Sequence, residues 1–194
     1  MCECLFGFRK LYETVQLRTL SRDAAQLKYP PGLLAIAYQM YLAPRLVIKN
    51  AQASLWCYPT KGIVPGCGQA MHLARVALYK PMQPMKATAQ HRSEQYVDDI
   101  NVAAVGTKTQ LQTSVPNELL GLARRLRAHG MVLSKTKNTL VASSADMGKC
   151  IVDQLVEQGL PIGVKGFARD LGITAAAGRR RRLVMEKVGA SSIT

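Results

Sequence analysis

The alternation of short β-branched segments with longer helical patterns is the feature that most constrains the fold. CECLFGF at residues 2–8 is strand-like, and QYVDDINVAAVG at 95–106 predicts two short strands around a two-residue tip. Apolar residues recur at helical spacing in the segments 11–27, 32–43, 110–130 and 145–159. No interior linker is long enough to divide the chain. The pattern predicts an α+β domain with one main sheet over residues 1–175, followed by a basic tail at 176–194.

The charge of the chain favours a polyanionic partner. Apolar residues make up 48% of the 194 residues and charged residues 20%, which is typical of a globular protein. Lys and Arg number 26 against 12 Asp and Glu, for a formal charge of +14. An anionic membrane is the alternative, but the clearest basic helix, LARRLRAHG at 122–130, also carries apolar residues suited to a core. Nucleic acid is therefore the favoured partner, with no membrane.

The cysteines and the N-terminus indicate an intracellular protein. None of the five cysteines forms a CxxC pair or a Cys/His cluster with zinc spacing, so free thiols and no disulfide partner are expected. The longest apolar stretch, at 32–38, is too short to span a bilayer. The N-terminus has no basic segment ahead of an apolar one. We expect a nuclear or cytoplasmic location.

Two adjacent acids, Asp98 and Asp99, stand at the predicted hairpin tip of this basic chain. Neighbouring carboxylates repel each other unless a cation lies between them. Mg²⁺ favours one or two carboxylates together with phosphate oxygens, so the acids predict a metal site beside a bound polyanion. An ordinary surface turn is the alternative, because Asp is common in turns.

The order of the neighbouring segments resembles a known family. YVDD at 96–99 resembles the Tyr-x-Asp-Asp motif of reverse transcriptases. Four further segments resemble the remaining palm motifs in the same order: FGFRKLYETV at 6–15, GIVPGCGQA at 62–70, a Lys-rich hairpin HGMVLSKTKNTLVAS at 129–143, and ARDLGI at 168–173. The resemblance covers residues 5 to 175 and is closest to non-LTR retroelements. It implies a polymerase palm, a mostly antiparallel sheet backed by helices.

The resemblance also implies two-metal nucleotidyl transfer with Mg²⁺ or Mn²⁺ and a nucleoside triphosphate. Asp98 would be the main metal ligand of the hairpin and Asp99 an auxiliary one. Lys137 would lie near the leaving phosphates, although an ordinary hairpin lysine is an equal alternative. These three residues are the implied catalytic residues.

Further residues would contact the nucleotide and the template. Gly66 and Gln69 would lie by the template and the incoming nucleotide, with Tyr96 of the YVDD motif, and Tyr12 would face the sugar. The alternative for Gly66 is an ordinary loop glycine, and the alternative for Tyr12 is an aromatic residue of the core. RNA or an RNA–DNA duplex would be held through its backbone by Arg124, Arg125, Lys135, Arg179, Arg180, Arg181 and Arg182. For the last four, a solvated basic tail is the alternative.

One position departs from the family pattern. The first palm motif begins with an Asp that bridges both metals, and here that position is Gly7. We also expect fingers and thumb to be largely missing, as in a truncated copy. Three functions follow: a polymerase completed by another chain, an inactive palm that still binds nucleic acid, or a basic RNA-binding module with no catalytic ancestry. The sequence favours the second.

Overall fold

The computed structural model describes residues 1–85, 90–96, 99–170 and 173–176. Asp98 and the basic tail with Arg179, Arg180, Arg181 and Arg182 lie outside the described residues, as does most of the strand predicted near 85–90.

The chain divides into two compact units. The first comprises Met1–Arg9, Pro84–Arg124 and the described part of the segment from Leu133 onward; the second comprises Lys10–Gln83 and Arg125–Val132.

The first unit contains the main sheet. Its strands are β1 (Cys2–Gly7), β4 (His91–Tyr96), β5 (Asp99–Ala104), β6 (Thr139–Ala142) and β7 (Gly163–Lys165). The sheet order is β4-β5-β1-β6-β7, with every pair antiparallel except β6 and β7. A separate antiparallel hairpin joins β8 (Phe167–Asp170) to β9 (Ile173–Ala176). This confirms the predicted α+β class with a mostly antiparallel sheet.

Two helices of the first unit complete its core. They are α5 (Lys108–Ala128), whose residues from Arg125 onward fall in the second unit, and α6 (Ala145–Glu157). α6 packs on β6 and β7 so closely that a Cβ added at Gly148 would lie 3.0 Å from the Cβ of Ala142. Gly159, in the left-handed region at φ 76°, follows the end of α6 as predicted. A proline in the 110–130 segment predicts a break or a start of the helix, but Pro116 lies inside α5.

The second unit is mainly helical. It contains α1 (Leu11–Thr14), α2 (Leu17–Gln26), α3 (Pro31–Leu42) and α4 (Ala70–Met82), with a short ribbon of β2 (Ile48–Lys49) and β3 (Gln52–Ala53). Asp23 of α2 is fully buried, and its carboxylate pairs with the Lys80 ammonium of α4 at 2.6 Å. This buried pair ties the two helices together. Among the described residues, no helix combines the length and apolar character needed to cross a bilayer.

The predicted hairpin around SKTK is wrong. Thr139–Ala142 does form a strand, but it pairs with β1, and Leu133 forms an isolated antiparallel bridge with Phe8, the residue that follows β1. Both flanks of the Lys-rich loop therefore run along β1 rather than along each other. The physical reason is that β1 offers an open edge to both flanks, a choice that local turn signals do not reveal.

The two faces of the main sheet differ in character. Side chains alternate between the faces of a strand, and the buried face carries Cys4 and Phe6 of β1 with Ile100 and Val102 of β5. Burial raises the pKa of the Cys4 thiol well above its usual range. Cys4 is therefore a neutral core residue at physiological pH and not a candidate nucleophile.

Candidate functional site

The site lies on the opposite, more polar face of the sheet, at the end where β4 turns into β5. Tyr96 is the Cα partner of Asp99 across this hairpin, so residues 97 and 98 alone separate the strands in sequence. Asp99 is half-buried and Tyr96 is exposed. The two predicted strands are present, but Asp99 belongs to β5 and not to the predicted tip.

Gly7 is the direct partner of Asp99 on the adjacent strand β1. Residues directly opposite in an antiparallel pair direct their side chains to the same face, with Cβ atoms about 5 Å apart. A carboxylate at position 7 would therefore stand beside Asp99, as the motif pattern predicts. The chain places a glycine there instead.

Other polar groups share this face with Asp99. The alternation along β5 places Asn101 on it, and the Asn101 amide donates to Glu3 Oε1 of β1 at 2.6 Å. Glu94 of β4 pairs with Arg92 at 2.5 Å, both largely exposed. The carboxylates of Glu3 and Glu94 therefore share this face with Asp99, which lies at its end.

Lys137, the third implied catalytic residue, also lies beside Gly7 at this end of the sheet. Its side chain packs over Gly7, where a Cβ would lie 2.8 Å from the Lys137 Cβ. The structure thus brings together two of the three implied catalytic residues, Asp99 and Lys137, around Gly7. Asp98 lies outside the described residues.

The residues described do not fit a two-metal site. Across the described ranges, no three His, Cys, Asp or Glu side chains come together as a metal-binding group. Position 7 supplies no ligand, and the lysine stem fills the adjoining space.

Of the four implied nucleotide- and template-binding residues, Tyr96 belongs to the first unit, and Tyr12, Gly66 and Gln69 belong to the second. The backbone of Tyr12 accepts a hydrogen bond from the Ile63 amide at 2.6 Å, which ties α1 to the Gly-rich loop. Gly66 has φ 83°, a left-handed conformation that explains the glycine. Gln69 precedes α4, and its side-chain oxygen accepts from the Tyr29 hydroxyl. Sequence reasoning missed Tyr29.

The basic residues predicted to hold the nucleic-acid backbone differ in their surroundings. Arg124 and Lys135 are exposed. Arg125 is half-buried, and its Nε donates to the Pro81 carbonyl at 2.7 Å. Arg125 therefore joins α5 to the end of α4, and its contact with nucleic acid stays a prediction.

Sequence reasoning also missed the two residues that hold Lys137 in place. Asn138 is 4% exposed, and its Oδ1 accepts a hydrogen bond from the Gly7 amide at 3.2 Å. The Ser134 amide donates to the Gly7 carbonyl at 2.9 Å. Their position in the sequence could have indicated this role, because Ser134 and Asn138 flank a turn, and Ser and Asn side chains commonly bind backbone groups at turns.

The mostly antiparallel sheet and the β4–β5 hairpin that carries Asp99 have the architecture of a polymerase palm. Residues 5–165 match the family described as reverse transcriptase (RNA-dependent DNA polymerase). The chain belongs to this family.

Solved structures show the same fold. A structure of apo telomerase from Candida tropicalis, truncated from its C-terminal domain, matches with a TM-score of 0.61 at 12% identity, over 91% of this chain and 34% of that one. A second structure of apo telomerase from the same organism matches with a TM-score of 0.62 at 13% identity, over 90% of this chain and 30% of that one. This chain thus spans about a third of the telomerase chains. A comparison with curated protein sequences found no match.

Proposed function

We propose that this chain is a reverse-transcriptase palm that binds RNA or an RNA–DNA duplex and does not extend primers. The order of its motifs supports an origin in a non-LTR retroelement. The absence of activity is supported by Gly7, which leaves Asp99 without a carboxylate directly opposite it on β1. A fixed geometry of both metals needs ligands from more than one side of the site.

The distribution of charge carries the nucleic-acid part of the proposal. The second unit holds eleven Lys and Arg against two acids, Glu13 and Asp23. Asp23 is buried against Lys80, so Glu13 is the one acid that this unit exposes. A surface of one sign attracts a polyanion by releasing its counterions.

Exposed aromatic residues accompany these cations. Trp56 is 61% exposed and Tyr58 is 72% exposed, in the same segment as the exposed Arg45, Lys49 and Lys61. Aromatic rings beside cations are typical of surfaces on which unpaired bases stack. This supports nucleic acid over an anionic membrane as the partner.

The experiment is a salt titration of the affinity for a fluorescent RNA–DNA duplex. We expect the logarithm of the affinity to fall linearly with the logarithm of the salt concentration, with similar slopes for unrelated sequences. The double variant Lys49→Gln, Lys61→Gln should lower the slope by about 2 if both residues meet phosphates.

A matched control removes the same charge from the first unit. Lys149 and Lys165 are also exposed, and the double variant Lys149→Gln, Lys165→Gln should leave the slope nearly unchanged. Absence of binding at low salt, or an affinity that does not respond to salt, would contradict the proposal.

A further inference from the structure

The contact between Lys137 and Gly7 carries an inference that rests on the proposed function and extends it. A Cβ built on Gly7 would lie 2.8, 3.0 and 3.5 Å from Cβ, Cδ and Cγ of Lys137. Real Cβ atoms essentially never approach another carbon as closely as the first of these distances. The first three carbons of the lysine therefore occupy the space that any side chain at position 7 would need.

This placement of Lys137 is fixed by its backbone. The Ser134 hydroxyl accepts hydrogen bonds from the amides of Thr136 at 3.3 Å and Lys137 at 3.2 Å. The Asn138 amide donates to the carbonyls of Ser134 at 2.7 Å and Pro161 at 2.8 Å. Because the nearest contact is made by Cβ, rotation of the outer side chain does not relieve it.

The loop is also joined to Gly7 itself. Both backbone groups of Gly7 are bound by it, the amide by Asn138 Oδ1 and the carbonyl by the Ser134 amide. Gly7 and Lys137 therefore form one steric unit, in which a larger residue 7 requires the lysine loop to move.

The ammonium of Lys137 is carried on the face that holds the acids. Since Gly7 and Asp99 are direct partners, Lys137 Cβ lies within about 8 Å of the Asp99 Cβ, inside the reach of a lysine side chain. Lys137 is exposed, so its charge is open to solvent and to a ligand. A cation beside a carboxylate at this position offsets its repulsion of a phosphate.

We propose that Lys137 takes the place of a metal ion at this edge of the sheet. It binds a backbone phosphate of the nucleic acid beside Asp99, and the binding needs no divalent cation. The glycine at position 7 is the condition for this arrangement, because the lysine stem has no room beside any larger residue.

The test measures the affinity for an RNA–DNA duplex in EDTA and in millimolar Mg²⁺ at constant ionic strength. Lys137→Gln keeps the three carbons that pack on Gly7 and removes the charge. Lys135→Gln is the matched control, because it removes one exposed charge from the same loop. Lys137→Arg keeps the charge, and thermal unfolding of each variant checks that it is folded.

We expect the unchanged chain to bind equally well in EDTA and in Mg²⁺. In EDTA, Lys137→Gln should bind the duplex about tenfold more weakly than the unchanged chain. In Mg²⁺ it should regain most of this affinity, because a metal ion can then neutralise Asp99 and the phosphate. Lys135→Gln should lose affinity without regaining it, and Lys137→Arg should bind in EDTA.

Two results would overturn the inference alone: binding by the unchanged chain that requires Mg²⁺, or the same Mg²⁺ response in Lys137→Gln and Lys135→Gln. Failure of the unchanged chain to bind at low salt in either condition would overturn the proposed function together with the inference.

Discussion

Position 7 decides what the hairpin end of the sheet can do, because a side chain there would stand beside Asp99. The order of the motifs predicted this neighbourhood, and the Gly7–Asp99 register confirms it. The packing of Lys137 on Gly7 was not predictable, because it depends on a loop shaped by hydrogen bonds of the buried Asn138. From the sequence alone, Gly7→Asp would be expected to add a metal ligand. In the structure, the new aspartate side chain would clash with the side chain of Lys137.

Asn138 is the residue on which this loop depends. Asn138→Ala removes the acceptor of the Gly7 amide and the donor to two carbonyls, in a side chain that is 4% exposed. Buried groups that lose their partners cost about 1–3 kcal/mol each, so we expect the free energy of unfolding to fall by about 2–4 kcal/mol. Urea unfolding measures the change.

The control for this variant is Thr136→Ala in the same loop. Thr136 is exposed, and its side chain makes a single long contact, 3.4 Å, with the Ser134 hydroxyl. We expect a change within about 0.5 kcal/mol, as for most surface substitutions. Equal effects of the two variants would show that Asn138 does not hold the loop.

The helices and strands whose apolar residues recur with a clear period were predicted well. β1, α6 and the two strands of the 95–106 hairpin lie where the sequence placed them, within a few residues. The alternation in RLVIKN and ASLWCYP also predicts a strand pair, but the ribbon there has only two residues in each strand, plus the Arg45–Cys57 bridge. Its turn residues Asn50 and Ala51 both have positive φ, which no glycine signalled.

The packing of α6 on the sheet gives a prediction at this scale. Gly148→Ala would place a Cβ 2.8 Å from Val164 Cγ2 and 3.0 Å from Ala142 Cβ. Val164 can rotate, but the Ala142 Cβ is fixed to its strand. We expect overpacking to lower the free energy of unfolding by about 1–3 kcal/mol, although alanine has a higher helix propensity than glycine by about 1 kcal/mol.

Gly163→Ala is the matched control for this variant, since it is exposed and its added Cβ would meet nothing within 4 Å. Its free energy of unfolding should change by no more than about 0.5 kcal/mol, as for most surface substitutions. A Gly148→Ala chain as stable as the unchanged one would mean that α6 does not approach the sheet so closely.

For the whole molecule, family and charge support different parts of the account. The match over residues 5–165 establishes a reverse transcriptase domain. The eleven cations of the second unit favour a polyanionic partner, and composition alone already predicted this. Composition does not bear on the proposed loss of catalysis, which rests on Gly7 and on the loop that packs over it.

Primer extension is the measurement that tests this account most directly. It uses an RNA template with a DNA primer, all four deoxynucleoside triphosphates, and Mg²⁺ or Mn²⁺, at a protein concentration that saturates duplex binding. We expect bound duplex and no added nucleotide, because position 7 supplies no carboxylate beside Asp99. Extension by the unchanged chain that disappears in Asp99→Ala or Asp98→Ala would contradict the account, since another group would then replace the missing ligand.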